Sequence, residues 1–317
     1  MTKPKKILLI ILVVVTTVTF IGLYFIANFF YNLALNPNTP KDMVFNDGGL
    51  KESSVVVNGY TDKQWLEKAS NKKEINIKSF DNLNLYGYEI KPKKESNVWV
   101  ISVHGYNNSS KNMDTYARQF NYLGYNVLLP DLRGHGKSDG EYVGMGWDDR
   151  LDIVKWIDYI TSKYNNAEII LHGVSMGAAT VMMTSGENLP INVKGVVEDC
   201  GYTSAWNQFS YHLNNKFNLP NFPILNASNL LVKYRAGYSL DAASAVKQIE
   251  KTKLPMLFIH GDKDDFVPFE MVDTLYNAHS GEKEKLIIKG AEHGKSSGVN
   301  PSLYFKTVNS FIQKYTN

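Results

Sequence analysis

The chain has 317 residues, of which 44% are hydrophobic and 21% charged. This ordinary globular usage excludes the collagen-like, disordered and disulfide-scaffold classes. Its 34 basic and 31 acidic residues give a net charge of +3 and are spread along the chain, so no concentrated basic surface indicates a nucleic-acid partner. Cys200 is the only cysteine, which excludes an intrachain disulfide and a thiolate zinc or iron–sulfur site. We expect one large α/β domain or two small ones after an N-terminal segment.

The N-terminal segment is apolar from Ile7 to Ala27 and carries no charge. As a helix it spans roughly 30 Å, which matches the hydrocarbon core of a bilayer. A cleaved signal peptide is the alternative, but its apolar region is shorter, at about 7–15 residues, and ends in a small-residue cleavage site. No such site occurs at residues 27–31, where aromatic residues resemble an interface belt. The sequence predicts an uncleaved transmembrane anchor over residues 7–30.

The charges that flank this segment predict its orientation. Lys3, Lys5 and Lys6 precede it, and the positive-inside rule keeps such a terminus in the cytoplasm. Residues 1–6 are therefore predicted to be cytoplasmic, and the folded domain to lie outside the cell membrane. The polar residues 31–72 are predicted to be a linker. We expect removal of residues 1 to about 35 to leave a soluble, active domain.

The remainder alternates between β-rich and amphipathic helical patterns. Strands are predicted at residues 75–77, 83–90, 98–103, 126–130, 168–172, 193–197, 256–260 and 285–288, and helices near residues 113–123, 147–164, after 175, 270–277 and 303–314. This alternation predicts a mostly parallel, doubly wound sheet with helices on both faces. Residues 203–253 interrupt the pattern with prolines, scattered aromatics and short helical stretches. We predict an α/β core of residues 73–202 and 254–317, with residues 203–253 as a small helical cap insertion.

The sequence Gly173-Val174-Ser175-Met176-Gly177 matches the G-x-S-x-G pattern. A buried strand precedes it and a helix follows it, and this is the strand–turn–helix context of a nucleophile elbow. An ordinary strand-to-helix turn is the structural alternative. A serine nucleophile needs a base, which is oriented in turn by a carboxylate. Of the seven histidines, only His293 has the required order and location, in a loop directly after the last predicted strand.

Three aspartates follow the strand at 256–260, and Asp199 ends the strand before it. Here the chain resembles the α/β-hydrolase superfamily, in its lipase-like and serine-aminopeptidase-like branch. The resemblance to the pattern G-x-x-D-x-x-V-P implies that Asp264 is the acid, while Asp262 and Asp265 fit turn or helix-cap positions. Asp199 is the rival, because some hydrolases of the superfamily take the acid from that strand.

Two further segments resemble the same branch. Residues 103–107 match its H-G-x loop, which implies an oxyanion hole formed by the backbone amides of Tyr106 and Met176. Residues 131–138 match its D-x-R-G-H-G-x-S loop, where His135 fits a structural turn better than a catalytic role.

The resemblance covers about residues 75 to 316, and the layout with its N-terminal anchor is similar to membrane-anchored hydrolases of Gram-positive bacteria. It implies an α/β-hydrolase fold and a serine hydrolase of carboxylic esters, or of amides or peptides, with Ser175, His293 and Asp264 as a triad. It implies no cofactor and no metal, and a small-molecule, partly apolar acyl substrate. The alternative is a catalytically silent, membrane-anchored binding protein that keeps the fold.

Overall fold

A computed structural model of the protein describes residues 3–40 and 60–316. The part of the predicted linker at residues 41–59 lies outside the described residues. The strands of the described chain form one eight-stranded sheet of order β1-β2-β4-β3-β5-β6-β7-β8. They are β1 Lys73–Lys78, β2 Asn84–Ile90, β3 Val98–Val103, β4 Asn126–Pro130, β5 Glu168–Val174, β6 Val193–Asp199, β7 Met256–Gly261 and β8 Lys283–Ile288.

The sheet is mostly parallel, as the alternation of patterns predicted. Strands β3 to β8 pair in parallel, whereas β2 pairs antiparallel with both β1 and β4. Every residue of β3 is buried, because apolar side chains on its two faces pack into different cores. Trp99 and Ile101 join one core, and Val98 and Val100 join the other. Strands buried on both faces read as continuous apolar runs, which is typical of parallel sheets.

Helices cover both faces of the sheet. In chain order they are α1 Lys3–Leu35, α2 Asp62–Gln64, α3 Asp114–Tyr122, α4 Asp149–Lys163, α5 Met176–Ser185, α6 Ala205–Phe217, α7 Asn221–Ala236, α8 Ala245–Ile249, α9 Glu270–Ala278, α10 Ser296–Val299 and α11 Pro301–Tyr315. The cores divide them: α3 and α11 pack on one face, and α4, α5 and α9 on the other. Because strands β3 to β8 run parallel, their carboxyl ends lie at the same edge of the sheet. The loops that follow these strands carry the site and lie at that edge.

The segment at residues 203–253 contains α6, α7 and α8. Its ends come together, because Ser204 and Ser244 form an isolated antiparallel β-bridge. Ser204 also begins α6, since its side chain accepts a hydrogen bond from the amide of Asn207 at 3.1 Å and so satisfies an amide that the helix leaves unpaired. The segment thus leaves and re-enters the core at nearly one point.

Helix α1 is longer than the predicted span and does not end in a free linker. It is the described helix that is long and apolar enough to cross a membrane, although the same test is passed by a signal sequence. Its side chains at residues 7–26 are almost all exposed, whereas Ala27, Tyr31, Leu33 and Leu35 are buried. The carbonyl of Leu35 accepts a hydrogen bond from the amide of Val143 at 2.8 Å. The last turns of α1 are therefore part of the folded domain.

Candidate active site

Ser175 stands at the sharp turn between β5 and α5. Its backbone has φ 58° and ψ −119°. Residues other than glycine rarely adopt a conformation with such a positive φ. A Cβ on Gly173 would lie 2.2 Å from the carbonyl oxygen of Gly177, and a Cβ on Gly177 would lie 2.2 Å from that of Val103. Both glycines are required because the backbone passes too close for any side chain. This close approach holds the serine hydroxyl at the carboxyl edge of the sheet.

The structure brings the three predicted side chains into one hydrogen-bonded row. The Oγ of Ser175 lies 2.7 Å from Nε2 of His293, and Nδ1 of His293 lies 2.8 Å from Oδ2 of Asp264. His293 comes from the loop after β8, and Asp264 comes from the loop after β7. In this geometry Nδ1–H donates to the carboxylate, so Nε2 is left as an acceptor that can take the serine proton.

The carboxylate of Asp264 is buried and fully hydrogen-bonded. Its Oδ1 accepts bonds from the amides of Phe266 at 3.0 Å and Val267 at 2.9 Å. On Oδ2 it meets His293 and also His260, whose Nε2 lies 3.2 Å away. Burial raises the pKa of Asp264, but the hydrogen bonds from His260 and His293 outweigh it and hold the pKa well below its usual range. Asp264 therefore stays ionised and can stabilise a positive charge on His293.

Asp199, the rival for the acid, is placed differently. It is fully buried at the end of β6, and burial raises its pKa to about 6, although the nearby hydroxyls of Ser296 and Tyr304 oppose this. Nδ1 of His293 bonds to Asp264 and not to Asp199. Asp262 accepts a hydrogen bond from the amide of Gly290 at 2.5 Å, which is a turn contact between two loops.

The loop after β3 lies directly against the serine. A Cβ on Gly105 would be 3.3 Å from Cβ of Ser175, so the backbone that carries Tyr106 runs beside the nucleophile. Met176 is the first residue of α5, and the amides of a helix's first turn have no partner within the helix. The two amides predicted for an oxyanion hole therefore belong to segments that flank Ser175.

The D-x-R-G-H-G-x-S loop, residues 131–138, is hydrogen-bonded to the loop after β3. His104 is buried, and its Nε2 accepts a hydrogen bond from the amide of Leu132 at 3.0 Å. Arg133 forms a bidentate pair with the buried Asp152, at 2.7 and 2.8 Å. His135 bonds through Nδ1 to the carbonyl of Arg133 at 3.0 Å, which fits the predicted structural turn. The bond from Leu132 to His104 joins the loops after β3 and β4, and the pair of Arg133 with Asp152 joins the second of these loops to α4.

An apolar cavity opens at Ser175. It encloses about 940 Å³ of space, part of it open to solvent. Most of its walls come from the last turns of α1, from helices α6 and α7 and from the loop after β7, and the loops around Ser175 complete them. Lining residues are Phe30, Tyr31, Leu33, Ala34, Leu35, Tyr106, Met145, Ser175, Met176, Tyr202, Gln208, Phe209, His212, Leu213, Lys216, Phe217, Ile224, Leu225, Ser228, Val232, Leu240, Phe266 and Val267.

Helix α6 is attached to the loop that carries Asp264. Nε2 of Gln208 donates a hydrogen bond to the carbonyl of Phe266 at 2.8 Å, and the ring of Phe266 packs between those of His212 and His293, with centroids 4.5 and 4.8 Å apart. Burial lowers the pKa of His212 to about 4, so this histidine is neutral at pH 7. The segment at residues 203–253 thus helps to hold the ring of His293.

The sequence analysis missed two contributors to the site. His260 bonds to Asp264 across a turn, and its position four residues earlier, at the end of a strand, was the available signal. Burial lowers the pKa of His260, but the hydrogen bond to Asp264 outweighs it and the pKa lies above its ordinary value. The second contributor is the end of α1. Phe30 and Tyr31 line the cavity, although their aromatic character predicted an interface belt.

One group of side chains has the composition of a metal site. Ligand atoms of Cys200, Asp264 and His293 lie within 4.8 Å of one another. Burial raises the pKa of the Cys200 thiol well above its ordinary value, and a metal ligand must be the thiolate. Asp264 and His293 already bond to each other. The donor set therefore does not fit a metal ion, and the hydrogen-bonded row accounts for the cluster.

Comparison with known proteins places the site in a wider context. A family model described as serine aminopeptidase, S33, matches residues 94–214. The protein YqkD of Bacillus subtilis is 30% identical over 309 residues, which are 97% of this chain and 97% of that protein. This relative spans the N-terminal helix as well as the domain.

Solved structures share the fold. An esterase of Pyrococcus furiosus, Pf2001, superimposes with a TM-score of 0.66 at 24% identity, over 83% of this chain and 97% of that one. The acylaminoacyl peptidase of Pyrococcus horikoshii gives a TM-score of 0.56 at 19% identity, over 77% of this chain and 41% of that one. At these identities the likeness concerns the fold, and the chemistry must be argued from the site itself.

Proposed function

Since this chain belongs to the α/β-hydrolase superfamily, as its motifs predicted, we propose that it is a serine hydrolase that cleaves carboxylic esters through an acyl-enzyme. One observation carries the proposal. Ser175, His293 and Asp264 form a continuous hydrogen-bonded row, with contacts of 2.7 and 2.8 Å, at the wall of an apolar cavity. A merely structural role would not require a serine in a left-handed conformation.

In the proposed reaction Ser175 attacks the ester carbonyl while Nε2 of His293 takes the serine proton. The same proton passes to the leaving alcohol, and water then hydrolyses the acyl-enzyme by the reverse sequence. Asp264 holds His293 in the required tautomer and stabilises the imidazolium that forms. The low pKa of Asp264 supports this role, because the ionised carboxylate carries the negative charge that stabilises the imidazolium, and a neutral acid would not.

The oxyanion that forms during attack needs hydrogen-bond donors. We assign this role to the backbone amides of Tyr106 and Met176, which flank Ser175 on the loop after β3 and at the start of α5. Such donors act mainly in the transition state, and each is typically worth about 3–4 kcal/mol. The first-turn amides of α5 also contribute the positive end of the helix dipole.

The walls of the cavity favour a neutral acyl group over a peptide with a free amino terminus. An aminopeptidase site needs an anion to pair with the substrate's ammonium group. Among the described residues that line the cavity, none carries a carboxylate, and the charged side chain is that of Lys216. The remainder are mainly apolar or aromatic. An ester with an apolar acyl chain therefore suits the cavity best.

We further propose that α1 is retained as a membrane anchor, with residues 1–6 in the cytoplasm and the catalytic domain outside. Burial of Tyr31, Leu33 and Leu35 in the domain supports retention, since cleavage beyond these residues would remove part of the cavity wall. The lysines at positions 3, 5 and 6 support the orientation. Protease added to intact cells should remove the domain, whereas protection until lysis would reverse this topology.

A fluorophosphonate probe tests the chemistry on the full-length protein. Wild type should be labelled and should cleave p-nitrophenyl butyrate, whereas Ser175→Ala should lose both properties. His293→Ala should lose several orders of magnitude in turnover, because an unassisted serine is a weak nucleophile. Ser162→Ala, which changes an exposed serine, is the matched control and should behave as wild type. An unlabelled, inactive but folded wild-type protein would favour the alternative of a silent binding protein.

A further inference from the structure

The proposed acyl cavity is built partly from the proposed membrane anchor. Phe30, Leu33 and Leu35 of α1 line the same cavity as Ser175. Two hydrogen bonds hold this wall in place. The hydroxyl of Tyr106 donates to the carbonyl of Ala34 at 2.6 Å, and the amide of Val143 donates to the carbonyl of Leu35. These bonds therefore fix the position of the cavity along the axis of α1.

Helix α7 marks where the domain meets the exposed part of α1. The two helices pack together, and the guanidinium of Arg235, near the end of α7, lies 4.9 Å from the ring centre of Tyr31. Its Nη2 lies 3.5 Å from the hydroxyl of Tyr24. Tyrosine and arginine are among the residues that are typical of membrane–water interfaces. The end of α7 therefore belongs at the boundary between bilayer and water.

Two large apolar side chains on the outer side of α7 are exposed close to this boundary. Leu230 is 71% exposed and Tyr234 is 86% exposed, and their spacing of four residues puts them on one face of the helix. Neither residue lines the cavity. Exposed apolar side chains next to the exposed span of α1 suit contact with the interfacial layer of a bilayer.

The height of the cavity follows from helix geometry. Residues 7–26 are the exposed apolar part of α1, and at 1.5 Å per residue they span about 30 Å, the thickness of the hydrocarbon core. Above Ile26 the helix rises about 6 Å to Phe30 and about 14 Å to Leu35. The headgroup layer is about 5–8 Å thick on each side. The lower wall of the cavity thus lies at the level of the headgroups, next to the ester bonds of lipids.

We propose that the substrate is an acyl ester of a lipid in the membrane that holds the anchor. This inference rests on the proposed function, and it names the substrate class of the same site. The lipid's acyl chain lies against the α1 and α7 walls, and its ester carbonyl reaches Ser175. Attack forms a bond from Oγ to the acyl carbon and breaks the bond to the lipid alcohol, which leaves with the proton from His293. Water then releases the fatty acid.

The test changes the height of the domain and leaves its interior unchanged. Full-length protein is reconstituted in phosphatidylglycerol vesicles that contain diacylglycerol with a labelled acyl chain. One variant carries seven added residues, of alanine, glutamate and lysine, between Ile26 and Ala27. Two helical turns lift the cavity by about 10 Å and nearly restore its rotation around α1. The matched control carries the same seven residues ahead of Lys3, on the other side of the membrane.

Wild type and control should release labelled fatty acid at similar rates, and the lifted variant should release it at least tenfold more slowly. All three should cleave soluble p-nitrophenyl butyrate within about twofold of one another. Labelled lipid supplied in separate vesicles, without protein, should be cleaved at least tenfold more slowly by wild type than lipid in its own vesicle. If the lifted variant lost activity on both the lipid and p-nitrophenyl butyrate, the test would rest on wild type alone. Its rates on lipid in its own vesicle and in separate vesicles would then decide.

Two results would overturn the inference while the proposed function stands. One is cleavage of p-nitrophenyl butyrate by a wild type that releases no labelled fatty acid. The other is release that neither the lift nor the transfer of label to separate vesicles slows. Failure of the proposed function looks different, because wild type would then cleave neither substrate and would resemble Ser175→Ala.

Discussion

The hydroxyl of Tyr106 donates a hydrogen bond to the carbonyl oxygen of Ala34 at 2.6 Å. This bond joins the last turn of the apolar N-terminal helix to the loop that lies beside Ser175. The same residue is assigned two roles through different atoms, since its backbone amide is proposed as an oxyanion donor and its side chain holds the cavity wall. Burial raises the pKa of the Tyr106 hydroxyl above its ordinary value, so the group remains a donor at physiological pH.

Tyr106→Phe should separate these two roles. The variant keeps the backbone amide but leaves the carbonyl of Ala34 without this donor, which should cost about 1–2 kcal/mol of unfolding free energy. Turnover of p-nitrophenyl butyrate should fall by less than tenfold. Urea unfolding and steady-state kinetics measure the two effects. Tyr122→Phe, at an exposed position, should change neither quantity, and an unfolding free energy unchanged in Tyr106→Phe would contradict the role given to the bond.

Two truncations should differ although both remove the exposed part of α1. A chain that starts at Ala27 keeps the buried turns and should fold and cleave soluble esters. A chain that starts at Asn36 loses Tyr31, Leu33 and Leu35, so it exposes the cavity and should unfold at least 5 °C lower. Thermal unfolding and p-nitrophenyl butyrate turnover compare them. Equal stability and activity would restore the expectation, from sequence alone, that removal of residues 1 to about 35 leaves a soluble, active domain.

The choice between the two buried acids is tested with a pair of variants. Asp264→Asn should lower the turnover rate by up to about 10⁴-fold with little change in substrate binding, because an amide would favour the wrong tautomer of His293. Asp199→Asn should be much milder, since Nδ1 of His293 bonds to Asp264. Both variants are measured on one ester. A severe defect in Asp199→Asn beside an active Asp264→Asn would reverse the assignment.

Glu198 should make stability depend on pH. Burial raises its pKa to about 8, although His260 and the amide of Gly201 oppose this. The folded state therefore binds this proton more tightly than the unfolded state. The resulting stability is complete below about pH 4 and is lost as pH rises to about 8. Over that range the loss is on the order of 5 kcal/mol at most.

Glu198→Gln removes this titration, so its stability should fall less between pH 5 and pH 8 than that of wild type. Urea midpoints at the two pH values provide the measurement. Glu95→Gln, at an exposed glutamate, is the matched control and should keep the wild-type dependence. Asp264, with its low pKa, affects stability only at more acidic pH. An equal fall in Glu198→Gln and wild type would show that Glu198 is ionised in the folded protein.

Patterns local in the sequence predicted much of this molecule. Strand and helix periods indicated the parallel sheet, and the parallel strands then required the loops with Ser175, Asp264 and His293 to end at one edge. The wall supplied by α1 could not be predicted in this way. Phe30 to Leu35 continue the apolar pattern of a membrane span, and their partners Tyr106 and Val143 lie more than seventy residues later. No local period encodes such a contact.

The dependence of the cavity on α1 has a consequence for biosynthesis. Phe30 packs against Phe217 with ring centroids 5.2 Å apart, and roughly 190 residues separate them, so at about 5–20 residues per second the ribosome needs on the order of 10–40 s to supply the second partner. During that time α1 can enter the membrane, while the chain that follows lacks a completed pocket. If α1 is the anchor, the pocket is completed only after the helix that holds it has been delivered, so newly made protein in the cytoplasm would have no finished site with which to attack esters there.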